Sequence, residues 1–166
     1  MKILLERLGV IAWWLTLPGL IVYLWGRPRT RVLVRCEGKV LVVRGWLGTG
    51  RWMLPGGGLH KNEAPLEGAL REVREETGLG LHPHDLRPLA EEEYRFRGIR
   101  FPCHYFVADL AGPLGTYPLH PELLEISRAV WLDSSELSLK NANPDVPIAL
   151  GHAGEKAQQT AQPGRA

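Results

Sequence analysis

The sequence contains few groups that could form a disulfide framework or a zinc site. Its two cysteines, Cys36 and Cys103, lie far apart without metal-type spacing, and its six histidines form no ligand pattern. We therefore predict two reduced, buried thiols, with a disulfide between them as the alternative. The net charge of +2 is too small to indicate a nucleic-acid partner, and we expect none. The sequence has no internal repeats.

The chain has 166 residues, enough for one ordinary domain and an appendage. The appendage is suggested by residues 8–25, LGVIAWWLTLPGLIVYLW, which carry no charge. As a helix this run would extend about 27 Å, close to the hydrocarbon thickness of a bilayer. It predicts a single transmembrane helix that contacts the lipid bilayer. The alternatives are a cleaved signal peptide and an in-plane or re-entrant hairpin broken at Pro18-Gly19.

Basic residues predict the orientation of this helix. Four arginines follow it before the first acidic residue, at positions 27, 29, 31 and 35. Basic clusters next to a membrane span stay in the cytoplasm. We therefore expect a single-pass membrane protein whose remaining residues lie on the cytoplasmic side.

The rest of the chain divides into a structured part, residues 31–140, and a tail, residues 141–166, which follow an anchor and basic linker at residues 1–30. The structured part reads as strands with one amphipathic helix in the middle, which predicts an α+β fold with a mixed sheet. The expected strands are RVLVRC and KVLVVRG as a hairpin, WMLPGGG, LRPLAEEEYRF, IRFPCHYFVADL and ISRAVWL. The tail has few large apolar residues, and we predict that it is disordered.

The predicted helix, residues 64–77, has two distinct faces. One stripe is suited to packing against the sheet and contains Leu66, Ala69, Leu70, Val73 and Thr77. The opposite side carries Glu72, Glu75 and Glu76, which are neighbours at spacings of three and four residues. Pro65 suits the first turn of the helix, and Gly78 suits the position just after its end.

These three glutamates indicate a cation site. A solvated acidic face is the alternative, but three close carboxylates repel one another, and Glu75 and Glu76 lie in the last turn, where the helix dipole disfavours anions. A hard divalent cation such as Mg²⁺ would offset the repulsion, because it prefers carboxylate oxygens. The glycine turn at residues 56–58 would let the backbone come close to the same place.

This segment resembles the signature of the Nudix hydrolase superfamily, G-x5-E-x7-R-E-U-x-E-E-x-G-U, where U is a bulky aliphatic residue. Every specified position is present without a gap: Gly57, Glu63, Arg71, Glu72, Val73, Glu75, Glu76, Gly78 and Leu79. A complete match of this length is far more specific than a short glycine motif. The surrounding strand order is also similar to that of the family, so that the resemblance covers residues 31–140.

The resemblance implies a mixed β-sheet sandwiched between helices, and an enzyme that hydrolyses a pyrophosphate bond with Mg²⁺ or Mn²⁺. It implies that Glu75 and Glu76 are the main metal ligands and that Glu72 is a further ligand or the general base. The carbonyl of Gly56 would complete the metal site, and Arg71 would orient a ligand glutamate, which the helix geometry suggests is Glu75.

The resemblance implies structural roles for the remaining signature positions, Gly57, Glu63 and Gly78. Many members of the superfamily add one carboxylate from a later loop. Glu125 is our candidate for this catalytic group, and Glu122 is the alternative.

The expected substrate is a nucleotide or another small molecule that contains a diphosphate, cleaved at the cytoplasmic face of a membrane. A lipid or prenyl diphosphate is one alternative substrate, and a non-catalytic sensor that binds a nucleotide is an alternative of a different class. The intact set of signature glutamates favours the enzyme. Homodimers are common among members, and the sequence leaves the oligomeric state open.

Overall fold

The computed structural model of the protein describes residues 27–46, 50–96, 99–121 and 126–161. Five strands, two α-helices and three short 3₁₀ helices make up the regular structure of these residues, and the strands and α-helices carry the fold. In chain order they are β1 (Arg29–Cys36), β2 (Lys39–Gly45), α1 (Pro65–Thr77), β3 (Arg87–Phe96), β4 (Ile99–Leu110), β5 (Ile126–Asp133) and α2 (Asp145–Ala161).

The strands form one mixed sheet in the order β3-β4-β1-β2-β5. Strands β1 and β4 are parallel over their whole paired length, from Arg29 opposite Cys103 to Cys36 opposite Leu110, and the other neighbouring strands are antiparallel. The predicted hairpin is confirmed, since β1 and β2 are joined by Glu37 and Gly38, both at positive φ. Such a two-residue turn matches the right-handed twist of the strands. The central position of β1 makes it the strand on which the functional residues are assembled.

Helix α1 covers one face of the sheet with the stripe that its sequence predicts. Ala69, Val73 and Thr77 are fully buried, and Leu66 and Leu70 pack at the edge of the same apolar cluster. The sheet contributes alternate residues of β1 to this cluster, because successive side chains of a strand point to opposite faces. The helix therefore has a fixed rotation about its axis, which determines where its glutamates project.

Helix α2 covers the opposite face, and the prediction of a disordered tail over residues 141–166 is wrong for the part that the structure describes. Val146, Ala149 and Ala153 are buried against the sheet at a spacing of three and four residues. The fully buried side chains on this stripe are small, and the larger Ile148 and Leu150 are only partly buried against the same cluster, so the segment has a weak hydrophobic pattern. The second helix of the sandwich is thus formed by residues outside the predicted domain limit at Lys140.

Two further expectations can be compared with the structure. Cys36 and Cys103 are buried and free, as predicted. The segment WMLPGGG was expected to be a strand, but Trp52, Met53 and Gly58 form only isolated bridges. Its backbone instead forms hydrogen bonds with three different segments, namely β1, β2 and the residues that lead into α2.

The predicted localisation, a single-pass membrane protein with a cytoplasmic catalytic domain, is contradicted. Among the residues that the structure describes, neither helix is long and apolar enough to cross a bilayer. The hydrophobic run at residues 8–25, on which the prediction of a membrane anchor and a lipid partner rested, lies outside the described residues.

The packing of α2 can be tested by removing one buried side chain. Val146→Ala deletes two methyl groups at a position with no exposed surface, and we expect the free energy of unfolding to fall by about 2 kcal/mol. Leu139→Ala is the control, because Leu139 is 65% exposed and its truncation should change stability by less than about 0.5 kcal/mol. Denaturant unfolding of both variants measures the difference. Equal stability of Val146→Ala and the wild type would show that residues 145–161 do not pack as described.

Candidate functional site

The glycine turn that precedes α1 lies directly on strand β1. The amide of Thr30 donates to the carbonyl of Gly57 over 2.9 Å, and the amide of Val32 donates to the carbonyl of Pro55 over 2.9 Å. Gly56 between them has φ of 137°, in a region that favours glycine, and a Cβ at this position would overlap the carbonyl of Thr30. Glycine is therefore required here for two reasons, a backbone conformation and a close approach to β1.

The same turn receives two glutamates of α1. The amide of Gly56 donates to Glu76 Oε2 over 2.8 Å. A Cβ on Gly57 would lie only 2.5 Å from Glu72 Oε1, so the absence of a side chain leaves space for this carboxylate. The structure thus brings Glu72 and Glu76 together with the glycine turn, as the acidic face of the helix predicts.

Arg71 connects three carboxylates. Its Nε and Nη2 donate to the two oxygens of Glu63 over 2.7 and 3.0 Å, while its Nη1 donates to Glu72 over 2.8 Å and to Glu75 over 3.0 Å. Nη2 also donates to the carbonyl of Gly58. The contact expected between Arg71 and Glu75 is present, but the bidentate partner of the guanidinium is Glu63. The guanidinium of Arg71 therefore binds the glycine turn, Glu63 just before the helix, and two of the three glutamates on the acidic face of α1.

The net pKa shifts of two carboxyls in this network have opposite directions, although Arg71 lowers the pKa of both. The hydrogen bonds from Arg71 hold the pKa of Glu63 at about 2, compared with an ordinary value of 4.5. Burial raises the pKa of Glu72, and the nearby guanidinium of Arg71 opposes this effect only in part. Glu63 is therefore firmly ionised, whereas Glu72 accepts a proton more readily than an ordinary glutamate.

The two ends of α1 have the features that its sequence predicts. Pro65 occupies the first turn, and Gly78 follows the helix in the left-handed region with φ of 76°, where its amide donates to Arg74. A Cβ on Gly78 would lie 2.6 Å from the carbonyl of His120, whose amide donates to Thr77 over 2.8 Å. Gly78 therefore lets the segment around His120 pack against the end of the helix.

The sequence also predicts one carboxylate from a later loop. Glu125 and its alternative Glu122 both lie outside the described residues, just after this segment. Their roles stay predictions from the sequence.

The groups around the turn fit a hard divalent cation by their chemistry. The possible ligands are all oxygens, those of the three carboxylates and of the Gly56 carbonyl, and the missing side chain at Gly57 leaves room for the carboxylate of Glu72 against the turn. Within the part of the chain that the structure describes, no three His, Cys, Asp or Glu side chains are already grouped as a metal site. Arg71 and the amide of Gly56 account for this, because they bind the carboxylate oxygens themselves.

Sequence reasoning missed Arg31 and Asp145. Arg31 contacts the carbonyl of Gly56 through Nη1, and its Nε lies 3.2 Å from Oδ2 of Asp145, which is almost fully buried in the first turn of α2. In the sequence, Arg31 belongs to the basic cluster that follows the apolar run, and Asp145 belongs to the predicted disordered tail, so neither position indicates a functional role. The signal that could have identified Arg31 is its position within an apolar strand, where an arginine needs a buried partner.

Comparison with known proteins gives a family for this arrangement. The family profile described as the NUDIX domain matches residues 26–150. The chain is 46% identical over 55 residues to the RNA pyrophosphohydrolase of Halorhodospira halophila, a match that covers 32% of this chain and only 30% of that protein.

Two solved structures share the fold. The MutT NUDIX hydrolase from Burkholderia pseudomallei has 20% identity and a TM-score of 0.63, with 76% of this chain and 97% of that chain covered. The NUDIX domain of Shewanella oneidensis NrtR complexed with ADP ribose has 17% identity and a TM-score of 0.65, with 80% and 88% covered.

The pairing of Glu63 with Arg71 predicts a specific pH dependence of stability. Because the pKa of Glu63 is lower in the folded than in the unfolded state, its ionisation stabilises the fold above about pH 4.5, and this contribution is lost as the pH falls toward 2. We expect Glu63→Gln to be destabilised relative to the wild type by more at about pH 6 than at about pH 3, as measured by denaturant unfolding. Glu93→Gln on the exposed edge strand is the control. A difference between Glu63→Gln and the wild type that does not change with pH would contradict the assignment.

Proposed function

The chain belongs to the NUDIX family, and from this premise we propose that it is a pyrophosphohydrolase that cleaves the diphosphate bond of a nucleotide-like substrate with the help of Mg²⁺ or Mn²⁺. The observation that carries the proposal is that Glu72 and Glu76 both contact the glycine turn, with Glu75 beside them on the helix. All signature positions are present in the chain. The name of its curated relative, an RNA pyrophosphohydrolase, supports the same class of reaction.

In this proposal Glu75 and Glu76 are the main metal ligands, with Glu72 as a further ligand and the carbonyl of Gly56 completing the set. A divalent cation held there would supply positive charge to offset that of the phosphoryl oxygens and would make the attacking water more acidic. The carboxylates of Glu72 and Glu76 contact the backbone turn directly. Their mutual repulsion, which is unfavourable for the isolated helix, then becomes a source of affinity for a divalent ion.

Glu72 has the environment of a general base. Burial raises its pKa and thus makes its carboxylate a better proton acceptor for the attacking water. Its position is constrained by Gly57 on one side and by Arg71 Nη1 on the other. The proton would move from the water to a carboxylate oxygen of Glu72. The same carboxylate is also available as a metal ligand, so Glu72 is our candidate for both roles.

Arg71 acts as a positioning residue in this proposal. It contacts Glu63 through two hydrogen bonds and holds Glu72 and Glu75 through a third nitrogen. A bidentate guanidinium has a defined orientation that a lysine ammonium cannot reproduce. Glu63 therefore fixes Arg71, and Arg71 in turn fixes the two glutamates. Gly78 supports the same geometry from the other end of the helix.

A nucleotide-like substrate is the class that the comparisons favour. The NUDIX domain from Shewanella oneidensis was solved with ADP ribose, in which two phosphates join adenosine to a second ribose. Burial lowers the pKa of Arg29 to about 10, while the nearby charges of Glu72 and Glu76 raise it. Arg29 therefore offers positive charge near the cation site. A guanidinium in this position suits the oxygens of a diphosphate.

Turnover by the full-length chain against a substrate panel tests this function. The panel contains nucleoside triphosphates, ADP-ribose, NADH, diadenosine polyphosphates, a 5′-triphosphorylated RNA and a prenyl diphosphate, each with Mg²⁺ and with chelator. We expect hydrolysis of one nucleotide class, and a loss of more than about 100-fold in Glu76→Gln, since even changes behind the metal ligands cost 10–100-fold.

Glu67→Gln is the matched control for this experiment. Glu67 lies on the same helix, in its first turn, and the one hydrogen bond of its side chain within the described part of the chain is a long contact of 3.4 Å with the amide of Ala64. Its turnover should equal that of the wild type within about a factor of two. Binding of a nucleotide without hydrolysis, in a protein that binds Mg²⁺, would contradict the enzyme and favour a sensor.

A further inference from the structure

The backbone of Gly56 is held by hydrogen bonds on both of its sides. Its amide donates to Glu76 Oε2 on α1, and its carbonyl accepts a hydrogen bond from Arg31 Nη1 on β1. The turn is pressed onto β1 so closely that no side chain fits at Gly56. The orientation of the one carbonyl proposed as a metal ligand therefore depends on the position of the Arg31 guanidinium.

The Arg31 guanidinium is in turn held by helix α2. Its Nε lies 3.2 Å from Asp145 Oδ2, and the two side chains are 13% and 3% exposed. The same carboxylate oxygen accepts a hydrogen bond of 3.0 Å from the amide of Leu54, two residues before Gly56. Asp145 thus holds this segment in two ways. It binds the amide of Leu54, just before the turn, and it acts on Gly56 of the turn through Arg31.

Asp145 also provides the negative charge that faces Arg31. Burial lowers the pKa of Arg29, and the nearby charge of Arg31 lowers it further, while the charges of Glu72 and Glu76 raise it, so both guanidiniums lie near the glutamates of α1. The charge of Arg31 is felt at Glu72 as well, where it slightly opposes the effect of burial on the pKa. A guanidinium without a counter-charge next to a carbonyl ligand would repel a divalent cation. A buried carboxylate in contact with Arg31 reduces this repulsion.

We propose that Arg31 and Asp145 are positioning residues that hold the Gly56 carbonyl for a divalent cation, so that metal binding at the glycine turn depends on helix α2. This inference rests on the proposed function, because it takes the turn and the glutamates of α1 as the cation site. It adds that the C-terminal helix is part of the metal-binding machinery although none of its side chains belongs to the signature. Neither residue is expected to contact the reacting atoms.

Binding of Mn²⁺ to the full-length protein without substrate tests the proposal, measured by the decrease of the free Mn²⁺ signal in electron paramagnetic resonance. We expect the Kd to rise about tenfold in Asp145→Asn and in Arg31→Gln, the range typical of residues behind a metal ligand. Because the two residues act as one unit, the double variant should bind no more weakly than the weaker single variant. Turnover of Asp145→Asn should recover when the Mg²⁺ concentration is raised.

Two controls separate metal positioning from a general loss of stability. Val146→Ala destabilises the adjacent position of α2 without touching Arg31 or Gly56, and its Kd for Mn²⁺ should equal that of the wild type. Asp109→Asn removes the partner of Arg35, another arginine of β1, and should also leave the Kd unchanged. All titrations are made at a temperature at which circular dichroism shows each variant folded.

Arg31→Lys keeps the test decisive if Asp145→Asn does not fold. A lysine preserves the charge and can contact Asp145, but its ammonium cannot reach the carboxylate and the Gly56 carbonyl with the fixed geometry of a guanidinium. We therefore expect weaker Mn²⁺ binding in this variant too. Wild-type Mn²⁺ affinity in folded Asp145→Asn or Arg31→Lys would overturn the proposal.

Glu76→Gln in the same titration distinguishes failure of this inference from failure of the proposed function. If Glu76→Gln binds Mn²⁺ weakly while Asp145→Asn binds it normally, the cation site stands and the role of Asp145 and Arg31 is refuted. If Glu76→Gln also binds Mn²⁺ as tightly as the wild type, the cation site itself is elsewhere and both proposals fail.

Discussion

The repulsion among the glutamates of one helix face is the constraint on which the arrangement of this protein depends. Glu72, Glu75 and Glu76 lie within one turn of α1, and two of them are at the end of the helix that disfavours negative charge. The fold compensates with hydrogen bonds to these carboxylates from the guanidinium of Arg71 and from the amide of Gly56. Both compensating groups bind carboxylate oxygens that a cation would otherwise take.

A second constraint follows from the need to place backbone beside these carboxylates. The glycine turn packs closely because Gly56 and Gly57 have no side chains, and a side chain at each position would overlap a different neighbour. At Gly56 the neighbour is the backbone of Thr30, while at Gly57 it is the carboxylate of Glu72. The central strand of the sheet, the turn and α1 therefore form one unit, and Arg31 extends this unit to α2.

The sequence predicts much of this arrangement because strands and an amphipathic helix have strong local patterns. The hairpin, the strands after the helix, and the buried stripe from Leu66 to Thr77 agree with the structure. Helix α2 was missed because its buried stripe consists of Val146, Ala149 and Ala153, whose small side chains give a weak hydrophobic pattern.

The ion pair between Arg31 and Asp145 could not be read from the sequence for a different reason. The two residues are separated by most of the chain, and only the packing of α2 against the sheet brings them together. The contact between Arg71 and Glu75, in contrast, follows from a spacing of four residues on one helix. Local spacing thus predicts the carboxylate face and its nearest arginine, whereas the supports on β1 and α2 depend on the complete fold.

The central claim is that the glutamates of α1 and the glycine turn form one divalent cation site. The most direct test is an anomalous difference map from crystals of the full-length protein grown with Mn²⁺. We expect an anomalous peak bound by carboxylate oxygens of Glu75 and Glu76 and by the carbonyl of Gly56. A well-ordered Mn²⁺ bound elsewhere, with these groups still engaged by Arg71 and the backbone, would contradict the account.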